Sequence, residues 1–323
     1  MNTGIFIISL DFELQYGMED SVREDTEERL NNTRIIIPQM LKLFRNHSIH
    51  VTWATVGKLC AQDKMDMQRY YPEHKPSYDN KILSTYEYDD IIGIDEEKDF
   101  KHYALGLIYE IQKVPFQEIA SHTFSHYYCN ERGHKNQQFY DDLSSCKEIM
   151  LNNIGVVPQS IVFPKNEINY EYVKVLNQLG IKSYRGAPNG FIYGKNIWLK
   201  PIRFLNAYVG SSKDGVYDLQ KNSNPLNIKA SAFLRPYSQK LRVLEPLKIY
   251  RIKRQMKYAA QNNKVFHLWW HPHNFGKNSQ KNMQQLEELL LYFEVLKKKY
   301  GMMSLNMAET EQLINIKIAR YYK

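Results

Sequence analysis

Two acids close the first apolar run of the chain. Ile5-Phe6-Ile7-Ile8-Ser9-Leu10 leads into Asp11, Phe12 and Glu13. Side chains at i and i+2 of a strand share a face, so both carboxylates look into one site while Phe12 looks away. Two acids in such a place are costly unless they are paired, hydrated or bound to a cation. A solvated strand end is the plain alternative. A second cluster is Ser121-His122-Thr123-Phe124-Ser125-His126. Its spacing of four puts both imidazoles on one side if the segment turns helical after His122. Two histidines and a carboxylate form a common catalytic zinc set that leaves positions open for water and substrate. A third cluster is His267-Leu268-Trp269-Trp270-His271-Pro272-His273-Asn274. His267, Trp269, His271 and His273 would alternate to one face, with Pro272 ending the strand. A histidine at a strand mouth is a candidate general acid or base because imidazole titrates near neutrality. His271 has that place, whereas His267 reads as a hydrogen-bonded core histidine.

Short β-branched or aromatic runs alternate with longer amphipathic stretches, which predicts a parallel sheet with crossover helices. Strands are expected at 4–13, 50–55, 117–124, 160–164, 181–185 and 265–270. Helices are expected around Leu30–Phe44 (with Pro38 a kink or a start), 100–113, 140–153, 170–179 (stopped by Gly180), 241–262 and 280–299. A short strand and a helix from about Met307 close the chain. Residues 64–98 look like an inserted lid or edge, and 186–232 are ambiguous. Without repeats, low-complexity tracts or linkers, one domain over 1–323 with these two insertions is the simplest organisation. In such folds function sits where strands end at their C-terminal side.

Taken in order, these segments resemble the polysaccharide deacetylase family, also called the NodB-homology or carbohydrate esterase family 4 group. Ser9-Leu10-Asp11-Phe12-Glu13 resembles its first motif and Thr52-Trp53-Ala54-Thr55-Val56-Gly57 the strand end after it. Ser121 to His126 matches its H-[ST]-x-x-H motif. Phe163-Pro164-Lys165-Asn166-Glu167 looks like a variant of its third motif, and Trp270-His271-Pro272-His273 resembles its last. The resemblance implies a distorted (β/α)7 barrel and a metal-dependent hydrolase that removes N-acetyl or O-acetyl groups from saccharides. It implies Asp11 as general base, Glu13, His122 and His126 as metal ligands, and His271 as general acid. The metal would be one divalent ion, zinc first, with cobalt, nickel or manganese as options. Three departures stand out. Phe12 fills the place of a second aspartate. Pro164 stands where an arginine usually orients the base, so Lys165 is expected to supply the charge. The acid that tunes the catalytic histidine has no evident counterpart. Backbone N–H groups near Lys165 and Asn166 are candidates for holding an oxyanion. Arg185 and His273 are further site candidates.

The 323 residues carry 43 basic and 35 acidic side chains, a net charge of +8, with 43% apolar and 24% charged residues. That is a globular composition, and no run approaches the roughly 20 apolar residues of a spanning helix. Three cysteines without zinc-ribbon spacing suit a reducing compartment. No export signal is evident, so the expectation is a cytoplasmic protein, either free or peripheral at the inner face of the membrane. Its substrate would be an acetylated precursor of a surface polysaccharide, nucleotide-linked or polyprenyl-phosphate-linked. Nine basic residues between Arg235 and Lys264, against Glu245 alone, suit phosphates or an anionic membrane surface, or form an ordinary solvated helix face. Nucleic acid is not expected, since no recognition pattern is present. Two other readings remain: a different C–N hydrolase on the same fold, and an inactive saccharide-binding barrel.

Overall fold

The structure is a computed structural model that describes residues 3–18, 22, 24–187, 200–220 and 223–321. At its centre lies β1 (Ile5–Phe12), buried along its whole length. It pairs in parallel with β2 (Val51–Thr55) on one side and β8 (Val265–Trp270) on the other, so that Asp11 sits opposite Ala54 and Ser9 opposite Trp269. The sheet continues from β2 through β3 (Gln117–Ser121), β4 (Ser160–Ile161) and β5 (Ser183–Gly186) to β6 (Leu226–Lys229). Beyond β8 it ends at β7 (Ala232–Phe233), and β9 (Met303–Ser304) adds to the start of β1. Every pairing between these strands is parallel, the pattern of a curled sheet wrapped by helices. Between β6 and β7 lie only Ala230 and Ser231. The Ala230 N–H bonds Gly186 of β5, and the Ser231 N–H bonds His267 of β8, both at 2.8 Å. This short link bridges the seam, giving the distorted barrel expected from the motifs.

Alternation along the strands sorts the side chains into two cores. Phe6, Ile8, Leu10 and Phe12 face outward, where α1 (Thr26–Asn46) and α8 (Ser279–Tyr300) supply Ile37, Met40, Leu289 and Phe293. Ile5 and Ile7 face inward with Val265 and Ile228, and Met307 and Ile314 of α9 (Met307–Tyr321) belong to this cluster. The barrel interior is thus apolar at one end and turns polar toward the C-terminal ends of the strands, at Ser9, Asp11, Arg185 and His267. Burying apolar surface at about 25 cal/mol per Å² is what makes that inner alternation obligatory.

The remaining helices are α2 (Lys64–Arg69), α3 (Leu105–Gln112), α4 (Asn136–Ile154), α5 (Tyr170–Gln178), α6 (Lys200–Val209) and α7 (Glu245–Gln261). Pro38 lies inside α1 instead of opening it. The third strand stops at Ser121, short of the expected Phe124, because Thr123 and His126 take positive φ and turn the chain across the barrel mouth. The segment 64–98, expected as an insertion, packs against that turn. Tyr78 Oη accepts from the Tyr128 N–H, and Asp79 N–H donates to Arg132. Of the ambiguous stretch 186–232, the described part supplies α6 and β6. Residues 188–199, 221 and 222 lie outside the described residues.

Candidate metal centre and active site

β1 delivers Asp11 and, one step past its end, Glu13 to the barrel mouth, where both are buried. Phe12 points the opposite way and packs edge-on against Trp53. Glu13 Oε2 lies 3.3 Å from His122 Nε2 and 3.2 Å from His126 Nε2. One ligand atom from each of the three falls within 4.8 Å of the others, and all three residues are buried. The donor set fits a metal. His122 Nδ1 lies 2.8 Å from the Val162 carbonyl, which can only accept. Nδ1 therefore carries a proton, and Nε2 is the ring nitrogen turned toward Glu13. Burial holds the His126 pKa below its ordinary value against the opposing pull of Glu13, which favours the neutral imidazole that metal binding would need. Burial pushes the Glu13 pKa up, but the combined pull of His271, His122 and His126 holds the carboxyl well below its usual range.

The histidine turn is held from behind. Asp142 on α4 accepts from the Phe124 N–H at 2.7 Å, from the Ser125 N–H at 3.2 Å and from the Ser125 hydroxyl. Gly17, at φ +83°, lets the chain after Glu13 pass so close that an added Cβ would meet the His126 ring at 2.4–2.9 Å. Five of the nine described non-glycine residues with positive φ (Leu14, Thr123, His126, Lys165 and Asn166) lie in these loops, so backbone strain is concentrated at the site.

Asp11 is clamped by Arg185 from β5. Arg185 Nη1 donates to Oδ1 at 2.6 Å and Nη2 to Oδ2 at 2.7 Å. Its other donors reach Ser9 Oγ at 2.9 Å and Asn166 Oδ1 at 3.0 and 2.6 Å, and its guanidinium lies 4.4 Å over the Trp269 ring. All five N–H groups are thereby used. Burial raises the Asp11 pKa, yet Arg185, with His271 and His122, outweighs it and keeps the carboxyl below its ordinary value. The positive charge expected from Lys165 therefore reaches Asp11 from Arg185. Lys165 Nζ lies 4.4 Å over the Tyr128 ring instead. The oxyanion part expected of Asn166 also changes. Its N–H is taken by the Phe163 carbonyl at 2.9 Å, and its side chain serves Arg185.

His271 Nε2 stands 3.6 Å from both Asp11 Oδ2 and Glu13 Oε1. Its Nδ1 faces Asn274 Nδ2 at 3.2 Å, and Arg29 Nη2 holds Asn274 Oδ1 at the same distance. An amide nitrogen can only donate, so the proton of the neutral ring sits on Nε2, toward the site. The side chain beside His271 Nδ1 is thus the amide of Asn274 and not an acid. His273 is buried with its Nδ1 3.9 Å from Glu13, and burial pushes its pKa down to about 3. His267 is the core histidine expected: buried, 2.8 Å from Ser9 Oγ, and likewise pushed down to about 3 by burial. Arg185 and Asp142 are the residues whose roles the sequence reading missed. An arginine ending a strand was a visible signal, but an aspartate inside a helix was not.

Residues 32–184 match the family model described as polysaccharide deacetylase; the stretch includes His122 and His126 and ends before Arg185. No curated protein matches the chain by sequence. Among solved structures the fold is similar to a protein assigned as a polysaccharide deacetylase from Mycobacterium smegmatis, at 12% identity and TM-score 0.60, covering 98% of this chain and 92% of that one. A protein so assigned from Pseudomonas aeruginosa PAO1 is similar at 10% identity and TM-score 0.56, covering 95% and 89%. The allantoinase Puue shares the fold at 11% identity and TM-score 0.54, covering 95% and 89%. The chain is thus similar to the polysaccharide deacetylase family over residues 32–184, and it shares the fold of proteins assigned to that class.

Proposed function

We propose that the chain is a metal-dependent deacetylase that removes an N-acetyl, or an O-acetyl, group from a saccharide. The observation that carries this is the convergence of Glu13, His122 and His126 beside an Asp11 clamped by Arg185. One carboxylate and two imidazoles suit zinc first, with cobalt, nickel or manganese as alternatives. A divalent ion held there supplies Lewis acidity, acidifying a water and polarising the acyl carbonyl. Asp11 is the base. Arg185 keeps it ionised and fixed, and each of its oxygens retains a second acceptor position for the proton of the attacking water. His271 is the acid, with its Nε2 proton facing the site. Donation to the departing nitrogen is easiest when Nδ1 also carries a proton, which requires Asn274 to turn its oxygen toward that nitrogen. Asn166 positions Arg185, and His273 packs beside Glu13 as a neutral ring.

As substrate we favour a nucleotide-linked or polyprenyl-phosphate-linked saccharide, a precursor of a surface polysaccharide handled in the cytoplasm. The support is the excess of basic charge. The test is acetate release by metal-loaded protein from acetylated substrates of both kinds. Release that is lost in Asp11→Asn, with metal retained, is the expected result. Full release by Asp11→Asn contradicts the assignment. Metal and saccharide bound with no release from any substrate favours the inactive binding barrel.

A further inference from the structure

The basic segment at 235–264 is thinner at the surface than its sequence suggests. Lys248 and Arg251 are buried, and Lys248 pairs with Glu245 at 2.6 Å. Lys253 pairs with Glu288 and Lys264 with Asp218. Lys240, Arg242, Arg254 and Lys257 remain exposed and form no ion pair with a described residue. These cations do not stand alone. Along α7, Leu247, Tyr250, Arg254, Lys257 and Gln261 are exposed at i, i+3, i+7, i+10 and i+14, a single stripe on a 3.6-residue period. Leu247 is 42% exposed, Tyr250 62%, and Val243, just ahead of the helix, 76%. The neighbouring α6 exposes Leu205 at 58% and Val209 at 66%, one turn apart. α6 contains no acid, and the only acid of α7, Glu245, is buried. Beside the stripe, α7 and α8 enclose a groove of about 400 Å³ lined by Tyr237, Tyr250, Arg242 and Lys281 among others. Glu288, 53% exposed, also lines the groove, where Lys253 neutralises it at 2.7 Å, so apolar side chains beside a net excess of cations match a surface that is apolar beneath and anionic above. No described helix is long and apolar enough to cross a membrane.

We propose that the α6–α7 face is a peripheral docking surface for an anionic lipid bilayer. Leu247, Tyr250, Val243, Leu205 and Val209 enter the headgroup boundary, and Arg242, Arg254, Lys257 and Lys281 meet lipid phosphates. This inference does not depend on the deacetylase reading, because binding is read without turnover.

The test is co-sedimentation of the full chain with phosphatidylcholine vesicles, with and without phosphatidylglycerol. Wild type is expected to pellet with the anionic vesicles and to be released by salt. Each cation at such a surface is worth about fivefold, so Arg242→Gln/Arg254→Gln/Lys257→Gln lowers partitioning roughly a hundredfold. Leu247→Asp/Tyr250→Asp is expected to lower it at least tenfold while thermal unfolding stays two-state and near wild type. A second variant, Leu205→Asp/Val209→Asp, covers the case in which the α7 pair disturbs folding. Wild type remaining in the supernatant with both vesicles overturns the proposal. So does folded Leu247→Asp/Tyr250→Asp protein that binds like wild type, or self-association or RNA binding through this face without vesicle binding.

Discussion

Arg185→Met is the substitution that most sharply probes how the site is built. Methionine can fill much of the volume beneath Trp269, but it offers no donor to Asp11, Ser9 or Asn166. The carboxylate of Asp11 would then stay buried with its bidentate partner gone. Breaking a buried ion pair by removing one member costs about 3–5 kcal/mol, because the other charge is left uncompensated. Removing both charges costs less, so Asp11→Asn should rescue part of the loss. We expect the double variant to be about 2 kcal/mol or more above the value that additivity predicts. Urea unfolding at pH 7 of chelator-treated protein measures this without metal linkage. The sign of the pH dependence gives an independent check. In wild type the Asp11 pKa is below its ordinary value, so the stability it contributes is present at neutral pH and fades in acid. In Arg185→Met burial acts unopposed by the guanidinium and raises that pKa, so the variant should regain stability as pH falls. A loss under 1 kcal/mol, or strict additivity with Asp11→Asn, would refute the clamp.

Other consequences follow from the same geometry. Asp142→Ala strips the histidine turn of three hydrogen bonds and leaves two buried N–H groups unpaired, so metal affinity should fall about 10–100-fold in a calorimetric titration. Asn274→Leu leaves His271 Nδ1 without its 3.2 Å partner and frees the ring to turn, so turnover in steady-state assays should fall about 10-fold or more while metal content is kept. His267 has a folded pKa near 3 against about 6.5 when unfolded. Its contribution is full above pH 6.5 and is lost as pH falls toward 3, at about 1.4 kcal/mol per pH unit. His267→Gln should shallow the acid limb of the stability curve by close to one proton.

Much of this was legible in the chain. Strand alternation alone put Asp11 and Glu13 on one face and Phe12 on the other. The run of parallel strands and helices was visible because β1 and β8 are near-continuous apolar segments, as burial on both faces demands. What escaped were features set by distance in sequence. Arg185 meets Asp11 across 174 residues, and only closure of the barrel brings β5 and β1 to one centre. β6 and β7 are four and two residues long, too short to show a period. The charge count at 235–264 misled because Lys248 and Arg251 share the inward face of α7 with Ile249 and Ile252, which composition cannot reveal. Asn274 was read only as a neighbour of His273, since nothing in a Pro-His-Asn string says which ring nitrogen the amide will meet.

The proposed chemistry requires Glu13, His122 and His126 to bind one metal ion together. Metal content of chelator-free protein, reconstituted with zinc and measured alongside Glu13→Gln and His126→Ala, tests this without knowledge of the substrate. About one equivalent is expected in wild type, with loss in both variants, each still folded by circular dichroism. Wild type that takes up no zinc, cobalt, nickel or manganese, or variants that keep a full equivalent, would contradict it.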